Sequence, residues 1–489
     1  MADLARQLRA VAAAAAVLAA AASTTAAPSE PCRLKGIDRE VRCGKVSVAE
    51  DPDRPDGRRI EVHYAVVPAL ARVRSFEPVF VFAGGPGQSA RHVAGQVQAL
   101  FARLNARRDI VYVDQRGTGA SNALACEREG EPGASLAETL DAQRRSARTR
   151  ACLRRLGAEH DLRQYATWIA VRDIDAVRAA LGYDRVNLWG ASYGTRAALE
   201  YLRQYPQRVR SAVLDGVAPP DMALPASFGV DAQASLDGLV AACAKDPACN
   251  VRYPALGAAI ERLLARVDAG GLKTAVTHPL TGQAEDVRLD RATLASVLRV
   301  PLYSPPLAAL LPYALAEASR DNLTPLLAVA ASMTSSVAEN FAEGMHFAVV
   351  CSEDLPRVDS AARAAVAATR FGDSFIRVYD ETCAALPRRE VPAAFYRLSD
   401  ADVPVLVLSG GADPATPPRH GARVAQGLKR ATHGVAPHLA HGVSMHGCAP
   451  ELVAGFIREA GTAGLDLDCL NRLPAPKFFA PPTGERRPR

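Results

Sequence analysis

Residues 188–202 read LWGASYGTRAALEYL. An apolar run that ends at Trp189 meets the short segment GASYG at residues 190–194, after which helix-favouring residues resume. A strand that passes into a helix within one or two residues holds its central residue in a strained backbone conformation and needs small neighbours on both sides. The pattern therefore predicts a sharp turn that lifts the hydroxyl of Ser192 clear of a sheet.

The flanks of this turn indicate a strand before it and a helix after it. Residues 186–189 form a short apolar run, as in a buried parallel strand. Apolar residues within 197–202 recur on one helix face, and Pro206 ends the helix. A Gly-x-Ser-x-Gly sequence in this context predicts a nucleophile elbow, provided that an acid and a histidine follow later in the chain. The alternative interpretation is an ordinary Gly-Ser turn with an unremarkable hydroxyl.

The length and the first residues indicate a large exported protein. A chain of 489 residues exceeds one ordinary domain, so we expect a large core with an inserted or appended second unit. Residues 1–27 begin with Arg6 and Arg9, continue as an alanine-rich run and end in small residues, which predicts a secretory signal peptide. Cys32 lacks the leucine-rich approach of a lipid-anchored cysteine. We therefore expect a periplasmic or secreted protein that has no membrane contact once the signal is removed.

The ten cysteines are consistent with export, because an even number of cysteines in an exported chain indicates disulfides. Spacing alone leaves the connectivity open. No Cys-x-x-Cys zinc pattern is present, and we expect neither a metal nor a cofactor. The net charge is +6, and acidic and basic residues are mixed along the whole chain, so nucleic acid is not an expected partner. We predict nearest-neighbour pairing: Cys32 with Cys43, Cys126 with Cys152, Cys243 with Cys249, Cys351 with Cys383, and Cys448 with Cys469.

Strand and helix patterns alternate over residues 28–220 and return at residues 399–472. Short apolar strands that end in glycines, separated by helical segments and preceded by an alternating strand, predict a mixed, mostly parallel α/β sheet with helices on both faces. Between these regions, alanine- and leucine-rich helical patterns over residues 221–398 predict an inserted helical cap. Residues 473–489 are rich in proline and charge, and we expect them to be disordered.

A serine hydroxyl becomes a good nucleophile when a histidine takes its proton and a carboxylate orients that histidine. In this kind of sheet the acid and then the histidine follow the serine in the chain. Asp413 directly follows the apolar run at residues 403–408 in a loop rich in glycine and proline, so we predict that it is the acid. Asp215, at the end of the preceding core strand, is the alternative acid, and a structural Asp-Pro turn is the alternative interpretation of Asp413.

Four histidines lie in or near the last loop of the core, at positions 433, 438, 441 and 446. His441 precedes a glycine and lies between the final strand and the last helix, so we predict that it is the general base. His446 is the main alternative. His438 fits a loop-packing residue equally well.

The developing oxyanion needs preorganised backbone donors. Tyr193, the residue after the serine, supplies one N–H group. Residues 84–87 read GGPG in a loop after a core strand, and because Pro86 has no N–H, Gly85 is the predicted second donor.

Together these motifs resemble the prolyl and tripeptidyl aminopeptidase branch of the α/β-hydrolases. The resemblance implies an α/β-hydrolase fold, a triad of Ser192, Asp413 and His441, an oxyanion hole at Gly85 and Tyr193, and a tripeptidyl aminopeptidase-like C-terminal region. It rests on stretches in both halves of the core: AGGPGQSA, VYVDQRGTGAS, LWGASYGTRAALEYL, VLDGVAPP, LSGGADPATPP and AHGVSMHGC.

Two positions depart from that family pattern. Ala83 stands where the single-residue prolyl enzymes usually carry histidine, and HLAHG replaces the usual glycine-rich approach to the histidine, which argues against strict proline specificity. An aminopeptidase must also anchor a free ammonium group, which calls for carboxylates in a partly buried cap. Glu353 and Asp354, beside Cys351, are the predicted amine-binding pair, and an ordinary solvated turn is the alternative interpretation.

The sequence therefore predicts an exported serine hydrolase, an aminopeptidase that takes peptides as substrates and works through an acyl-enzyme. A carboxylesterase is the nearest alternative, because the same chemistry cleaves esters. A noncatalytic binding protein on a hydrolase scaffold is a further alternative. The oligomeric state is left open.

Overall fold

The computed structural model describes residues 29–72, 77–126, 135–278, 281–338 and 341–481. The predicted signal peptide, residues 1–27, lies outside these ranges. Among the described helices, none combines the length and the apolar character that crossing a membrane requires.

Nine strands form one sheet in the order β1-β2-β3-β5-β4-β6-β7-β10-β11, and β8 pairs with β9 in a separate hairpin. The pairs β1–β2, β2–β3 and β3–β5 are antiparallel, and every other pair in the large sheet is parallel. The strands are β1 Ser29–Cys32, β2 Val41–Ala49, β3 Arg59–Val67, β4 Val79–Phe82, β5 Ile110–Val113, β6 Val186–Ala191, β7 Val209–Asp215, β8 Leu272–Thr277, β9 Ala284–Leu289, β10 Pro404–Gly410 and β11 Arg430–Ala436.

The α-helices of the described ranges are α1 Ala90–Asn105, α2 Leu136–Leu140, α3 Ala142–Glu159, α4 Thr167–Ala180, α5 Tyr193–Gln204, α6 Ala226–Lys245, α7 Pro247–Arg252, α8 Leu256–Asp268, α9 Arg291–Arg299, α10 Pro305–Ala308, α11 Leu311–Ala318, α12 Thr324–Ala338, α13 Glu343–Val349, α14 Ser360–Ala367, α15 Ser374–Cys383, α16 Pro418–Gly427 and α17 Ala449–Glu459.

Helices cover both faces of the large sheet because its central strands are apolar on both sides. Every residue of β4 and β5 is buried. One face packs against α1 and α17, and the other packs against α4, α5 and α16. The predicted mixed, mostly parallel α/β sheet with helices on both faces is confirmed.

Residues 221–398, the predicted cap, contain an apolar core of their own, built by side chains of α6, α8, α9, α11 and α12 together with the β8–β9 hairpin. The hairpin was not expected. Two helices that precede residue 221 also join this region: α2 packs on β9, and α3 packs on α13 and α15. Although α3 is rich in arginine, one side of it carries a narrow apolar stripe that is buried beside Met345. The stripe consists of Cys152, Leu153 and Leu156.

The C-terminal stretch is ordered further than its composition indicates. Residues 473–481 run along the cap, where the Phe479 N–H donates to Ala309 O at 3.1 Å and the Tyr253 hydroxyl donates to Phe479 O at 2.8 Å. The expectation of disorder from residue 473 is wrong for this part, because Phe478 packs against the apolar core of the cap. Residues 482–489 lie outside the described ranges.

Five disulfides join the ten cysteines of the described chain. The Cys448–Cys469 bond joins the start of α17 to the C-terminal segment, just after the loop that contains His441. The pairs are Cys32–Cys43, Cys126–Cys152, Cys243–Cys249, Cys351–Cys383 and Cys448–Cys469.

Removing the Cys448–Cys469 bond by a double substitution to serine is expected to lower the free energy of unfolding by about 2–5 kcal/mol, because the unfolded chain regains the freedom of a closed loop. Urea unfolding of the two proteins measures the difference. The control is the Cys243–Cys249 pair, which closes a loop of sequence separation 6 instead of 21 and should cost less. Equal midpoints for wild type and the Cys448/Cys469 variant would contradict the prediction.

Candidate active site

The turn after β6 has the geometry that its sequence predicts. Ser192 connects β6 to α5 with φ 56° and ψ −128°, a positive-φ backbone conformation that residues with a side chain rarely adopt. A Cβ atom at Gly190 would lie 2.5 Å from the carbonyl oxygen of Gly194, and one at Gly194 would collide with the carbonyl oxygen of Phe82. Both glycines are therefore required for the close approach of helix and strand.

Asp413 and His441 form a hydrogen-bonded pair, with 2.8 Å between Oδ2 and Nδ1. The carboxylate is buried and also accepts the backbone N–H groups of Ala415 and Thr416, at 2.8 and 2.9 Å, and the Thr416 hydroxyl at 2.7 Å. Burial raises the pKa of Asp413, but the attraction of His441 and these hydrogen bonds outweigh it and lower that pKa overall. An ionised Asp413 holds the proton of His441 on Nδ1, which leaves Nε2 to accept a proton.

The turn at Ser192 and the Asp413–His441 pair both border the segment that follows β7, at the carboxyl edge of the parallel strands. The Ser192 N–H donates to Asp215 O at 2.9 Å. The next residue, Gly216, has φ 63°, and a Cβ atom there would lie 2.9 Å from Thr416 Oγ1 and 3.4 Å from His441 Cε1. The segment after β7 therefore touches the turn and the acid–histidine pair together. Sequence reasoning missed Gly216, although a glycine directly after a buried strand was a signal.

The alternative acid has a different position. Both oxygens of Asp215 accept bonds from the segment that follows His441: Oδ1 takes the Val443 N–H at 2.8 Å, and Oδ2 takes the Ser444 N–H at 2.8 Å and the Ser444 hydroxyl at 2.5 Å. Asp215 thus shapes the histidine loop, while Asp413 bonds the histidine itself.

The other histidines of this region are placed away from the acid. His446 and His438 are exposed. The Nε2 atom of His433 lies 2.9 Å from the Ser409 hydroxyl. Of the four histidines, His441 is the one that is bonded to a carboxylate in the described structure.

The segment at residues 84–88, here called the oxyanion loop, contains Gly85. Its Pro86 carbonyl lies 3.2 Å from Nδ1 of His346, and because a carbonyl only accepts, Nδ1 is the donor. Nε2 then accepts the Tyr379 hydroxyl at 2.7 Å. Burial lowers the pKa of His346 to about 4, so the ring is neutral. A second bond, from the Ala342 N–H to Gly87 O at 2.9 Å, also ties the oxyanion loop to the cap.

Neither His346 nor Tyr379 was found from the sequence. His346 lies 260 residues beyond Pro86, and no spacing pattern links them. Tyr193, the other predicted donor, is the first residue of α5, where backbone N–H groups have no acceptor within the helix.

The Tyr193 side chain begins a buried polar network under the turn. Its hydroxyl accepts Gln115 Nε2 at 2.9 Å and lies 2.6 Å from the Thr167 hydroxyl. Thr167 donates its N–H and its hydroxyl to Glu353, at 2.5 and 2.8 Å. Glu353 is thereby connected to the residue beside Ser192 through two hydroxyl groups.

Glu353 and Asp354 lie in a π-helical turn, Val350–Asp354, and both are fully buried. The alternative interpretation of a solvated turn is wrong. Arg196 lies between them, with Nη1 2.7 Å from Asp354 Oδ1 and 3.8 Å from Glu353 Oε2. Burial raises the pKa of Glu353 to about 8 and that of Asp354 to about 6. The Oδ2 atom of Asp354 has no hydrogen-bond partner in the described chain.

Within the described ranges, no group of three or more His, Cys, Asp or Glu side chains is arranged so that it could hold a metal ion.

Comparison with known proteins gives two family matches. A family described as "alpha/beta hydrolase fold" matches residues 77–252, and a family described as "TAP-like protein" matches residues 367–469. Serine protease Hip1 of Mycobacterium tuberculosis is 33% identical over 213 residues, which are 39% of this chain and 39% of that protein. Tripeptidyl aminopeptidase of Streptomyces lividans is 30% identical over 198 residues, or 38% of this chain and 36% of that protein. The alignments therefore span well under half of either relative.

A crystal structure of proline iminopeptidase from Mycobacterium smegmatis is similar at 16% identity, over 86% of this chain and 99% of that one, with a TM-score of 0.40.

Proposed function

Because the chain is an α/β hydrolase with a TAP-like C-terminal region, we propose that it is a serine aminopeptidase that releases residues or short fragments from the free N-termini of peptides. The observation that carries this proposal is that the strained turn at Ser192 and the bonded Asp413–His441 pair both border the short segment Asp215–Gly216. The names of two relatives, a serine protease and a tripeptidyl aminopeptidase, favour a peptide over an ester as the substrate.

In the proposed reaction, Ser192 Oγ attacks the carbonyl carbon of the scissile bond while His441 Nε2 takes the hydroxyl proton. Asp413 stabilises the imidazolium that forms. The backbone N–H groups of Gly85 and Tyr193 receive the negative charge that develops on the carbonyl oxygen. His441 then gives its proton to the leaving amine, and a water molecule, activated in the same way, hydrolyses the acyl-enzyme and releases Ser192.

Export is part of the proposal and is supported by the five disulfides, because such bonds form and persist in the periplasm or outside the cell.

The buried carboxylates support recognition of a free amino group. Glu353 and Asp354 share one buried cation, Arg196, and burial raises the pKa of Glu353 to about 8, so the cluster gains an uncompensated negative charge only when Glu353 loses its proton, which a bound ammonium would favour. A substrate ammonium would supply the missing positive charge, and the unpartnered Oδ2 of Asp354 is the atom available to it. Because both side chains are fully buried, the substrate must uncover them as it binds.

Replacing Asp354 with asparagine, or Glu353 with glutamine, is expected to weaken transition-state binding of free-amine peptides by about 2–4 kcal/mol relative to a neutral ester. The measurement is the ratio of kcat/KM for an unblocked peptide amide to that for the ester. Asp380→Asn is the matched control, because this cap carboxylate pairs with Arg363 and is partly exposed. Equal losses on both substrates would mean that the pair supports only the fold.

The function itself is tested by offering the purified protein three substrates: a free-amine peptide amide, its N-acetylated form and a simple aryl ester. Preferential hydrolysis of the free-amine peptide is expected. Cleavage of the ester without either peptide would establish an esterase instead, and cleavage of none would favour a noncatalytic binding protein.

A further inference from the structure

Arg299, the last residue of α9, is held between two aromatic rings of the cap. Its guanidinium carbon lies 4.3 Å from the ring centre of Phe228 and 5.0 Å from that of Tyr303. Nη2 also donates to the Tyr303 hydroxyl. Rings on a guanidinium face fix its plane and exclude water, while its edge still presents N–H groups to an acceptor.

This guanidinium lies close to the predicted base. The rings of Tyr303 and His441 pack edge to face with 5.1 Å between their centres. In the backbone, the N–H group of His441 donates to the carbonyl oxygen of Tyr303 at 3.4 Å. On its other side, the ring of Phe228 lies 6.4 Å from that of Tyr379, whose hydroxyl bonds the histidine that holds the oxyanion loop. Arg299 is therefore one side chain away from both halves of the site.

Within the described residues, Arg299 forms no ion pair with a carboxylate, and its Nε atom is buried without a hydrogen-bond partner. Asp231 and Asp413 are close enough to interact electrostatically with Tyr303, but each of these carboxylates already pairs with another basic side chain and not with Arg299. In contrast, Arg291 at the other end of α9 pairs with Asp268. A partly buried cation without a carboxylate is costly, unless a ligand supplies the missing anion.

We propose that Arg299 binds a carboxylate of the substrate, so that the site favours peptides with an acidic side chain or a free C-terminal carboxylate near the scissile bond. The inference rests on the proposed function, because it assumes that the substrate reacts at Ser192. A planar carboxylate matches the two N–H groups on one edge of a guanidinium, and the flanking rings keep that pair away from water.

The test uses two pairs of short free-amine peptides. One pair carries glutamate or glutamine next to the scissile bond and is amidated at the C-terminus, and the other pair carries a C-terminal carboxylate or amide and is otherwise neutral. We measure kcat/KM for each in wild type, Arg299→Gln, Arg299→Lys and the matched control Arg291→Gln. The wild type is expected to favour the carboxylate member of at least one pair, and that pair identifies the source of the carboxylate.

In Arg299→Gln this carboxylate-to-amide ratio is expected to fall about 10- to 100-fold. Arg299→Lys should retain part of it, because lysine keeps the charge without the planar edge, and Arg291→Gln should keep the wild-type ratio. A wild type without preference in either pair, or an unchanged ratio in Arg299→Gln, would overturn the proposal. Should Arg299→Gln not fold, the salt dependence in wild type decides: the ratio should decrease as sodium chloride is raised, and a constant ratio would overturn the proposal.

Failure of the peptidase function is distinguishable. If the wild type cleaves no peptide but hydrolyses esters, Arg299 is tested on the aryl monoester of succinate against the aryl ester of butyrate. A preference for the succinate ester that Arg299→Gln loses supports the carboxylate site on its own, and no preference refutes it.

Discussion

Replacing Ser192 with alanine is expected to lower kcat by about a millionfold and to abolish covalent labelling by a fluorophosphonate, while the protein stays folded. Oγ is the atom assigned to attack, and Ser192 makes no side-chain bond to the start of α5. Alanine has the same Cβ at the same strained φ, so the turn loses only its hydroxyl.

Labelling of the pure protein, read on a denaturing gel beside its thermal unfolding midpoint, measures both parts of this expectation. Ser235→Ala is the control, since this cap serine bonds Ala412 O and lies outside the proposed site. The control should label as the wild type does. Labelling of Ser192→Ala at the wild-type level would show that another residue is the nucleophile.

Replacing Asp413 with asparagine should lower kcat by about ten-thousandfold, because an amide cannot hold the His441 proton on Nδ1 as a carboxylate does. Asp215→Asn is the informative comparison. Its carboxylate bonds the segment after His441, so a smaller loss is expected. If Asp215→Asn were the more damaging of the two, the roles assigned to these acids would be reversed.

The same substitution should move the acid limb of the pH–rate profile. Burial lowers the pKa of His441, but the Asp413 carboxylate raises it by more, so the pKa lies above its ordinary value of 6.5. His441 accepts a proton only when neutral, so wild-type activity should rise as the pH passes upward through that raised pKa. Without the carboxylate the pKa falls, and the rise in kcat/KM should shift to lower pH. An unshifted limb would mean that another group controls it.

The sequence predicts best what depends on neighbouring residues. Apolar runs located the central strands of the sheet, although not β1, and the glycines around Ser192 indicated the turn, because both depend on neighbouring residues. Asp413 and His441 were chosen by their places after β10 and β11, and the structure brings them within hydrogen-bond distance; their roles stay predictions.

What the sequence could not provide are contacts between distant segments. Two adjacent acids are usually exposed, and nothing in their own neighbourhood indicates that Arg196, 158 residues before Asp354, meets them in the interior. The packing of α3 on α13 is not predictable for the same reason, because the arginine-rich sequence of α3 is typical of a solvated helix. The ordered path of residues 473–481 is not predictable from composition, because proline and charge indicate disorder while the packing of Phe478 depends on a distant apolar core.

The hydrogen bonds between the cap and the oxyanion loop limit which parts of such a hydrolase can be exchanged separately. His346 and Ala342 bond the carbonyls of Pro86 and Gly87, so the cap is a structural part of the loop that contains a proposed oxyanion donor. A chimera that grafts a foreign cap onto this core would remove both bonds and leave the loop with only its contacts to the core. Transplanting substrate preference between such hydrolases therefore requires exchanging residues 84–88 together with the cap, as one unit.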